Sequence, residues 1–264
     1  MTKRIVTGVI AGAIFLGLLV LGGVFFKIFI GLLVILAMQE LFKMHKLKLG
    51  SFEGVLATLA ALSLAIPDFR HIFSQHSDGN TLLFMLFVFI MLVGTVIFSR
   101  DYSFEDVGFP FLTAFFVGMG FQSLLLARES NIYTVFLALF IVWSTDIGAY
   151  GFGKAFGKNK LLPAVSPNKT VEGSIGGIGS ALVVALIMWA FFHHHLPQIG
   201  TFRLIIFAII FSVVGQLGDL VESAMKRHYG VKDSGKILPG HGGILDRFDN
   251  LIFVFPIMHL LGLF

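Results

Sequence analysis

Long, uninterrupted apolar runs constrain this chain more than any other feature of its sequence. Several of them are long enough to cross a hydrocarbon core as a helix, which takes about 20 residues. A membrane barrel would alternate apolar and polar residues instead. The mean hydropathy of +0.92 and the charged fraction of 13% also lie outside the range of soluble globular domains. The sequence therefore predicts an all-α integral membrane protein.

We predict about nine transmembrane helices. The apolar runs cover residues 5–26, 28–44, 54–67, 81–99, 109–127, 132–152, 173–192, 203–221 and 248–264. The first run is longer than a signal-peptide core of about 7–15 residues and lacks a convincing cleavage site, so we expect a retained span. No repeat or linker divides the chain, which predicts one polytopic domain over residues 1–264. Within it, residues 1–130 would be mainly scaffold, and residues 131–264 would supply the catalytic spans and cytoplasmic loops.

The basic residues predict the orientation of the chain. Of the 19 Lys and Arg residues, 15 fall at the N-terminus and in the loops after even-numbered runs. The other side would hold only Lys27, Arg70, Arg128 and Arg203. Positive charge is enriched on the cytoplasmic side of membrane proteins. This bias predicts a cytoplasmic N-terminus and a polar cavity near the C-terminal spans that opens to the cytoplasm.

Two further patterns favour packing and solvation over a binding site. Gly173, Gly176, Gly177 and Gly179 open the seventh run, where small residues would let helices approach closely. The predicted outer side holds Asp68, His71, His76, Asp78 and the triplet His193–His195, and the triplet could suggest a metal site. Three consecutive residues cannot all converge on one ion from a helix end, so we expect a solvated loop there.

Charged residues gather in one segment, residues 219–250, which holds five of the 19 basic and five of the 15 acidic residues. Asp219 lies near the end of the eighth run, and Asp146 lies inside the sixth. A charge at the centre of a span costs about 2.5–3.5 kcal/mol, which favours a polar cavity, a partner or an ion beside each aspartate. The alternative is an aspartate that reaches water at a helix end.

If the eighth helix continues beyond the membrane, its polar residues share one face. Asp219, Ser223, Lys226 and Arg227 follow one another at i, i+4, i+7 and i+8, and Glu222 joins them at i+3. A carboxylate with two cations nearer the cytoplasm suits a metal-bound phosphate. Lysine and arginine that extend to the lipid headgroups would explain the cations but not Asp219.

Residues 229–243 are predicted to form a loop that contains Lys232, Asp233, Lys236, His241, Gly242 and Gly243. Adjacent glycines expose backbone N–H groups that can surround a phosphate. Asp246 and Asp249 then open the ninth helix. With Asp219 they offer the hard oxygen ligands that Mg²⁺ prefers, and Arg247 suits bidentate phosphate contact. The chain has no cysteine, which excludes thiolate metal ligands and disulfides.

The loop of residues 153–173 is basic and forms a second polar cluster. It carries Lys154, Lys158, Lys160 and Lys169, with Glu172 as its acid. Thr170 or Ser166 could cap the helix that follows. Binding to anionic lipid headgroups is one interpretation of such a loop. Beside a phosphate site, Asn168 and Lys169 become candidate substrate contacts.

The segment Ser223–Asp249, SAMKRHYGVKDSGKILPGHGGILDRFD, resembles the signature of the phosphatidate cytidylyltransferase, or CDP-diacylglycerol synthase, family. Ser223, the Met225-Lys226-Arg227 triplet, Lys232-Asp233, Leu238-Pro239, His241-Gly242-Gly243 and Asp246-Arg247-Phe248-Asp249 all fit it. SPNKTVEG (166–173) and DIGAY (146–150) are also similar to that family. The resemblance is strongest from about residue 140 onward.

The resemblance implies that CTP and phosphatidate react to CDP-diacylglycerol and pyrophosphate with a divalent cation. Asp219, Asp246 and Asp249 would hold Mg²⁺, with a second cation as an option. Asp219, Lys226, Arg227, Asp246 and Arg247 would be catalytic. The predicted substrate-binding residues are Asp146, Asn168, Lys169, Glu172, Ser223, Lys232, Asp233, Lys236, His241, Gly242 and Gly243.

The expected partners are the two substrates and the bilayer of a bacterial cell membrane, with no nucleic acid and with a homodimer as an option. An ion-coupled transporter is one alternative, in which Asp146 and Asp219 act as coupling groups. Transporters usually carry matching broken helices in two related halves, and none is visible here. A lipid kinase that uses a nucleoside triphosphate is the second alternative, since it would keep the metal site and change the acceptor.

Overall fold

The computed structural model describes residues 2–69, 79–196 and 199–264. The predictions made for Arg70, His71, His76 and Asp78 lie outside these residues. The described chain contains nine α-helices, one short 3₁₀ helix (Pro67–Phe69) and two β-strands. The helices are α1 Thr2–Leu21, α2 Gly23–Met44, α3 Phe52–Ala65, α4 Gly79–Ile97, α5 Phe104–Ser130, α6 Ile132–Phe156, α7 Val171–Phe192, α8 Thr201–His228 and α9 Leu245–Leu260.

Six of the described helices, α2 and α4–α8, are long and apolar enough to cross a membrane. They also expose large apolar side chains such as Phe25, Phe89 and Phe191, which soluble proteins rarely do over such areas. The predicted class, an all-α membrane protein, is confirmed. The apolar helices Val6–Leu21 and Phe52–Ala65 are shorter, and α9 has 16 residues. The count of nine spans and the orientation therefore stay predictions.

The chain divides into two compact units. The first unit comprises Met1–Leu125 with Asp233–Asp246, and the second comprises Leu126–Lys232 with Arg247–Phe264. In the first unit, aromatic side chains build much of the core, with Phe42 and Phe109 ring centroids 6.4 Å apart. The buried Asn80 at the start of α4 donates to the carbonyl groups of Ser63, at 2.7 Å, and Ile66 near the end of α3. These two hydrogen bonds link the start of α4 to the end of α3.

Close packing of α6 against α7 dominates the second unit. A Cβ atom on Gly173 would lie 2.6 Å from the carbonyl oxygen of Ala149, and one on Gly177 would lie 2.8 Å from that of Thr145. A Cβ atom on Gly176 would lie 2.3 Å from Cγ of the Phe152 ring. The predicted packing role of these three glycines is confirmed. The prediction was wrong for Gly179, where a Cβ atom would meet nothing within 4 Å.

A β-hairpin connects α6 to α7, where the sequence predicted only a basic loop. Strand β1 (Lys160–Leu162) pairs antiparallel with β2 (Ser166–Thr170), with Lys160 opposite Thr170 and Leu162 opposite Ser166. Of the two predicted caps, Thr170 is the one that forms. Its Oγ1 accepts a hydrogen bond of 3.1 Å from the N–H of Gly173 and so begins α7.

Candidate active site

The hairpin places a lysine beside an aspartate of α8. Lys169 Nζ lies 2.5 Å from Asp219 Oδ2, and the side chains of both residues are about one quarter exposed, at 26% and 30%. The other oxygen, Asp219 Oδ1, accepts a hydrogen bond of 3.3 Å from Ser223 Oγ one turn later. Asp219 is therefore paired with a cation rather than simply immersed in water.

Asp146 of α6 is held by Asn250 of α9. The Nδ2 group of Asn250 donates to both oxygens of the Asp146 carboxylate, at 3.2 and 3.0 Å. Asn250 is buried, and among the described residues its Oδ1 has no hydrogen-bond partner. Asp249, next to it, lies close enough to Asp219 and Asp146 for their charges to interact. Three carboxylates and one unpaired amide oxygen thus gather on α6, α8 and α9.

This oxygen set suits a hard divalent cation. Within the described residues, no three His, Asp or Glu side chains converge tightly enough to form a metal site by themselves. Mg²⁺ needs no such cage, because it usually takes one or two carboxylates and completes its shell with water and substrate phosphates. The buried Asn250 Oδ1 without a donor is the observation that favours a cation here, since buried acceptors are normally paired.

A cavity of about 460 Å³ opens beside these residues. It is lined by Asp146, Ala149, Tyr150, Gly153, Lys154, Leu161, Asn168, Lys169, Thr170, Gly173, Ser174, Gln216 and Asp219. Four of the predicted site residues, Asp146, Asn168, Lys169 and Asp219, therefore share one cavity wall. A larger groove of about 660 Å³ between α6 and α7 is almost entirely apolar and contains no comparable group of charges.

Glu172 fixes the base of the hairpin and does not line the polar cavity. Its carboxylate accepts hydrogen bonds from the N–H groups of Lys158 (3.1 Å) and Asn159 (3.2 Å) and from Asn159 Nδ2 (2.7 Å). Arg227 of α8 donates from Nε to the carbonyl oxygen of Val165 at the hairpin turn, at 3.4 Å. The hairpin is thus held at both ends, which positions Lys169 between them. The predicted substrate contact of Glu172 stays a prediction.

The predicted polar face at the end of α8 is present, with one internal ion pair. Lys226 Nζ lies 2.7 Å from Glu222 Oε2, one helical turn earlier, and both side chains are largely buried. Burial raises the pKa of Tyr229, which follows the helix. Lys232 and Arg247 are exposed, and the charge of Arg247 acts on Asp146. The role of Lys226 at a phosphate stays a prediction.

The glycine loop, residues 233–243, belongs to the first unit. The side chain of Asp246 accepts hydrogen bonds from the backbone of this loop. Asp246 Oδ2 accepts hydrogen bonds of 2.8 Å from the N–H groups of Ser234 and Gly243 and from Ser234 Oγ. Gly242 has φ +81°, and a Cβ atom there would lie 2.3 Å from Asp246 Oδ2, so only glycine fits. His241 is half-buried, and a Cβ atom on Gly8 of α1 would lie 2.8 Å from its Nε2. Asp233 and Lys236 are exposed in this loop.

The structure therefore brings the predicted site residues together in two groups. Asp146, Asn168, Lys169, Asp219 and Ser223 lie together in the second unit, and Gly242, Gly243 and Asp246 lie together in the first. The contacts of Asp246 show a role in shaping the loop, while its binding of a metal stays a prediction.

Sequence reasoning missed Asn250, Glu40 and Ser234. Asn250 closes the charged segment and could have been noticed as an amide beside Asp249. Glu40 accepts hydrogen bonds from the N–H groups of Ile244 and Leu245, and its Oε2 lies 3.0 Å from Ser234 Oγ. Its signal in the sequence is a single acid inside the second apolar run. Ser234 carries no signal, because a serine in a polar loop is common.

Comparison with known proteins agrees with the resemblance drawn from the sequence. The model of the cytidylyltransferase family matches residues 2–264. A protein of Staphylococcus haemolyticus named phosphatidate cytidylyltransferase is 42% identical over 261 residues, which cover 99% of this chain and 98% of that protein. A Bacillus subtilis protein of the same name is 44% identical over 268 residues, covering 100% of this chain and 98% of its own length. This chain belongs to the cytidylyltransferase family.

Proposed function

We propose that this chain is a phosphatidate cytidylyltransferase, which converts CTP and phosphatidate into CDP-diacylglycerol and pyrophosphate. The observation that carries the proposal is the polar cavity in which Asp146, Lys169 and Asp219 meet among apolar helices. Full-length relatives with that enzyme name have the same chain length to within a few per cent.

The reaction forms a bond between a phosphate oxygen of phosphatidate and the α-phosphorus of CTP. The bond between that phosphorus and the oxygen bridging to the β-phosphorus breaks, and pyrophosphate leaves with the electron pair. The attacking phosphate is already an oxyanion at neutral pH, so no general base is needed. The site must instead neutralise two polyanions and align them, which is the usual requirement of phosphoryl and nucleotidyl transfer.

The basic residues of the site supply this neutralisation. Lys169 reaches the cavity from the hairpin and pairs with Asp219 there. We expect its ammonium group to bind a substrate phosphate beside Asp219. Arg227, Lys232 and Arg247 offer guanidinium and ammonium groups to the triphosphate and the leaving pyrophosphate, and Lys226 adds to the local positive charge. The remaining proposed substrate contacts are Asn168, Glu172, Ser223, Asp233, Lys236, His241, Gly242 and Gly243.

The metal would be held by Asp219 and Asp249, with Asp146 and Asn250 next to them and with Asp246 as the further ligand predicted from the sequence. When bound, Mg²⁺ supplies charge neutralisation at the phosphate oxygens. Asn250 fixes the orientation of Asp146 through its two hydrogen bonds, and Lys169 and Ser223 fix that of Asp219.

The membrane setting follows from the distribution of charge. We place the N-terminus and the cavity on the cytoplasmic side of a bacterial membrane, where CTP is available, with nine helices in the bilayer. The acyl chains of phosphatidate stay among the lipids while the headgroup enters from the side. The mass of the purified protein in detergent would decide whether it is a homodimer.

The decisive experiment incubates the purified protein in detergent with CTP, Mg²⁺ and phosphatidate. We expect CDP-diacylglycerol and pyrophosphate in equal amounts, and EDTA should stop their formation. Asp219→Asn should abolish turnover while the protein still inserts and purifies normally. Asp101→Asn, which changes an exposed aspartate between α4 and α5, is the matched control. A folded protein that forms neither product, or that instead releases a nucleoside diphosphate as a lipid kinase would, contradicts the proposal.

A further inference from the structure

Glu40 is a buried acid inside the apolar helix α2. It lies in α2 with 1% of its surface exposed, among buried neighbours such as Met38, Leu41 and Phe42. A buried carboxyl group without hydrogen bonds is strongly unfavourable, because it loses its contacts with water and gains none in return. Its hydrogen bonds therefore decide its role.

All the described hydrogen bonds of Glu40 come from the glycine loop and the start of α9. Its Oε1 accepts from the N–H of Ile244 at 2.8 Å, and its Oε2 accepts from the N–H of Leu245 at 3.0 Å. Ser234 Oγ lies 3.0 Å from Oε2. The N–H groups at the start of a helix lack partners within that helix. Glu40 thus caps α9 from a residue about 200 positions earlier in the chain, as the separations of 204 and 205 residues show.

Ser234 links Glu40 to Asp246. Its Oγ is within hydrogen-bond distance of Glu40 Oε2, at 3.0 Å, and of Asp246 Oδ2, at 2.8 Å. The position of Asp246 therefore depends on the position of Glu40 through one shared side chain and through the first residues of α9.

The loop fits around the Glu40 side chain with no spare space. A Cβ atom on Gly235 would lie 2.4 Å from Glu40 Oε1, and its nearest neighbours are all atoms of Glu40. A Cβ atom on Gly243 would lie 2.4 Å from Glu40 Cδ and 2.3 Å from Ser234 Oγ. Two glycines of the loop are therefore required by the size of one glutamate.

We propose that Glu40 is a positioning residue for the proposed transferase, which holds the loop of residues 234–245 and through it sets the place of Asp246. The inference rests on the proposed function for its effect on catalysis. The structural part of the inference, the capping of α9 by Glu40, does not depend on the proposed function.

Two measurements test it on the full-length protein in detergent. The first is hydrogen–deuterium exchange of peptides that cover residues 243–246. In Glu40→Ala, we expect these amides to exchange at least about tenfold faster, because the N–H groups of Ile244 and Leu245 lose their acceptor. The control, Glu53→Gln in α3, should leave them unchanged. Unchanged exchange in Glu40→Ala overturns the proposal.

The second measurement is a double-variant cycle on cytidylyl transfer. Gly235→Ala forces a methyl group against Glu40, and Glu40→Asp withdraws the carboxylate by roughly 1.5 Å, the length of one carbon–carbon bond. Each single variant should lower kcat by about tenfold or more, with a smaller change in KM for CTP. The double variant should recover at least part of the loss caused by Gly235→Ala. Losses that simply multiply would contradict the positioning role.

Failure of the proposed function and failure of the positioning inference give different results. A wild-type protein without transferase activity would contradict the proposed function, while the exchange experiment would still decide whether Glu40 holds the loop. An active wild type whose Glu40 variants keep full kcat removes only the inference about positioning.

Discussion

At the scale of single residues, three acids of the second unit each have a defined side-chain partner. Asp219 has Lys169, Asp146 has Asn250, and Glu222 has Lys226. The sequence could predict that Asp146 and Asp219 need partners, because both lie in apolar runs. It could not identify those partners, since Lys169 and Asn250 reach them through tertiary structure rather than through helical spacing.

Lys169 should be needed for CTP binding more than for folding. Lys169→Met removes the ammonium group at the cavity, and we expect KM for CTP to rise by about tenfold or more, the size of effect usual for a charged hydrogen bond. Lys169→Arg should retain part of the affinity. Steady-state kinetics with varied CTP measure this. Lys160→Met, on the facing strand of the same hairpin, is the control, and equal effects of the two methionine variants would show that the position has no special role.

Asn250 should support the cation site in two ways. Its Oδ1 accepts no hydrogen bond among the described residues, and its Nδ2 donates to both oxygens of Asp146. Asn250→Leu keeps a similar volume but removes both functions, so we expect activity to fall by about tenfold or more and to need more Mg²⁺. A Mg²⁺ titration of the rate is the measurement. Asn131→Ser, which keeps a side chain able to cap α6, serves as the control. An unchanged Mg²⁺ requirement would separate Asn250 from the metal.

At the scale of elements, the apolar runs predicted every α-helix of the described residues, because long continuous hydrophobicity is a strong signal. The hairpin was not predictable in the same way. Its second strand reads Ser-Pro-Asn-Lys-Thr, which lacks apolar alternation and contains a proline. The strand forms because Glu172 and Arg227 hold its ends and because Lys169 pairs with Asp219, and these contacts are not local in sequence.

Loss of Glu172 should loosen the hairpin and leave the helices intact. In Glu172→Ala the N–H groups of Lys158 and Asn159 lose their acceptor, so trypsin should cut after Lys158 or Lys160 several times faster, and activity should fall with it. Limited proteolysis followed by mass spectrometry measures the cut sites. Glu105→Gln, at the start of α5, should leave the cleavage pattern unchanged. Unaltered cleavage in Glu172→Ala would argue against the anchoring role.

At the scale of the whole molecule, the sequence predicts that the site lies in the C-terminal half, where the residues that resemble the family signature are found. The signature nevertheless divides between both compact units, because residues 233–246 group with the N-terminal helices. No local sequence pattern indicates that division. Within the first unit, Glu40 of α2 contacts Ser234, Ile244 and Leu245, and a lone acid near the end of an apolar run resembles an ordinary helix terminus.

The predicted orientation can be tested with single thiols, since the natural chain has no cysteine. Asp101→Cys lies between α4 and α5, and His194→Cys lies between α7 and α8. With nine spans and a cytoplasmic N-terminus, a membrane-impermeant thiol reagent added to intact cells should label position 194 and spare position 101. Inverted vesicles should give the opposite result. Labelling of both positions from the same side would mean that the span count is wrong.

The hydrogen bonds of Glu40 have a consequence for biosynthesis. The acid enters the membrane early, yet its partners Ser234, Ile244 and Leu245 are translated 194 to 205 residues later. At roughly 5–20 residues per second, the nascent chain holds a carboxyl group without its native partners for roughly 10–40 s. The full set of Glu40 contacts therefore forms only after the start of α9 has been translated, and a chain that ends before Ser234 would leave this acid without any of these three partners.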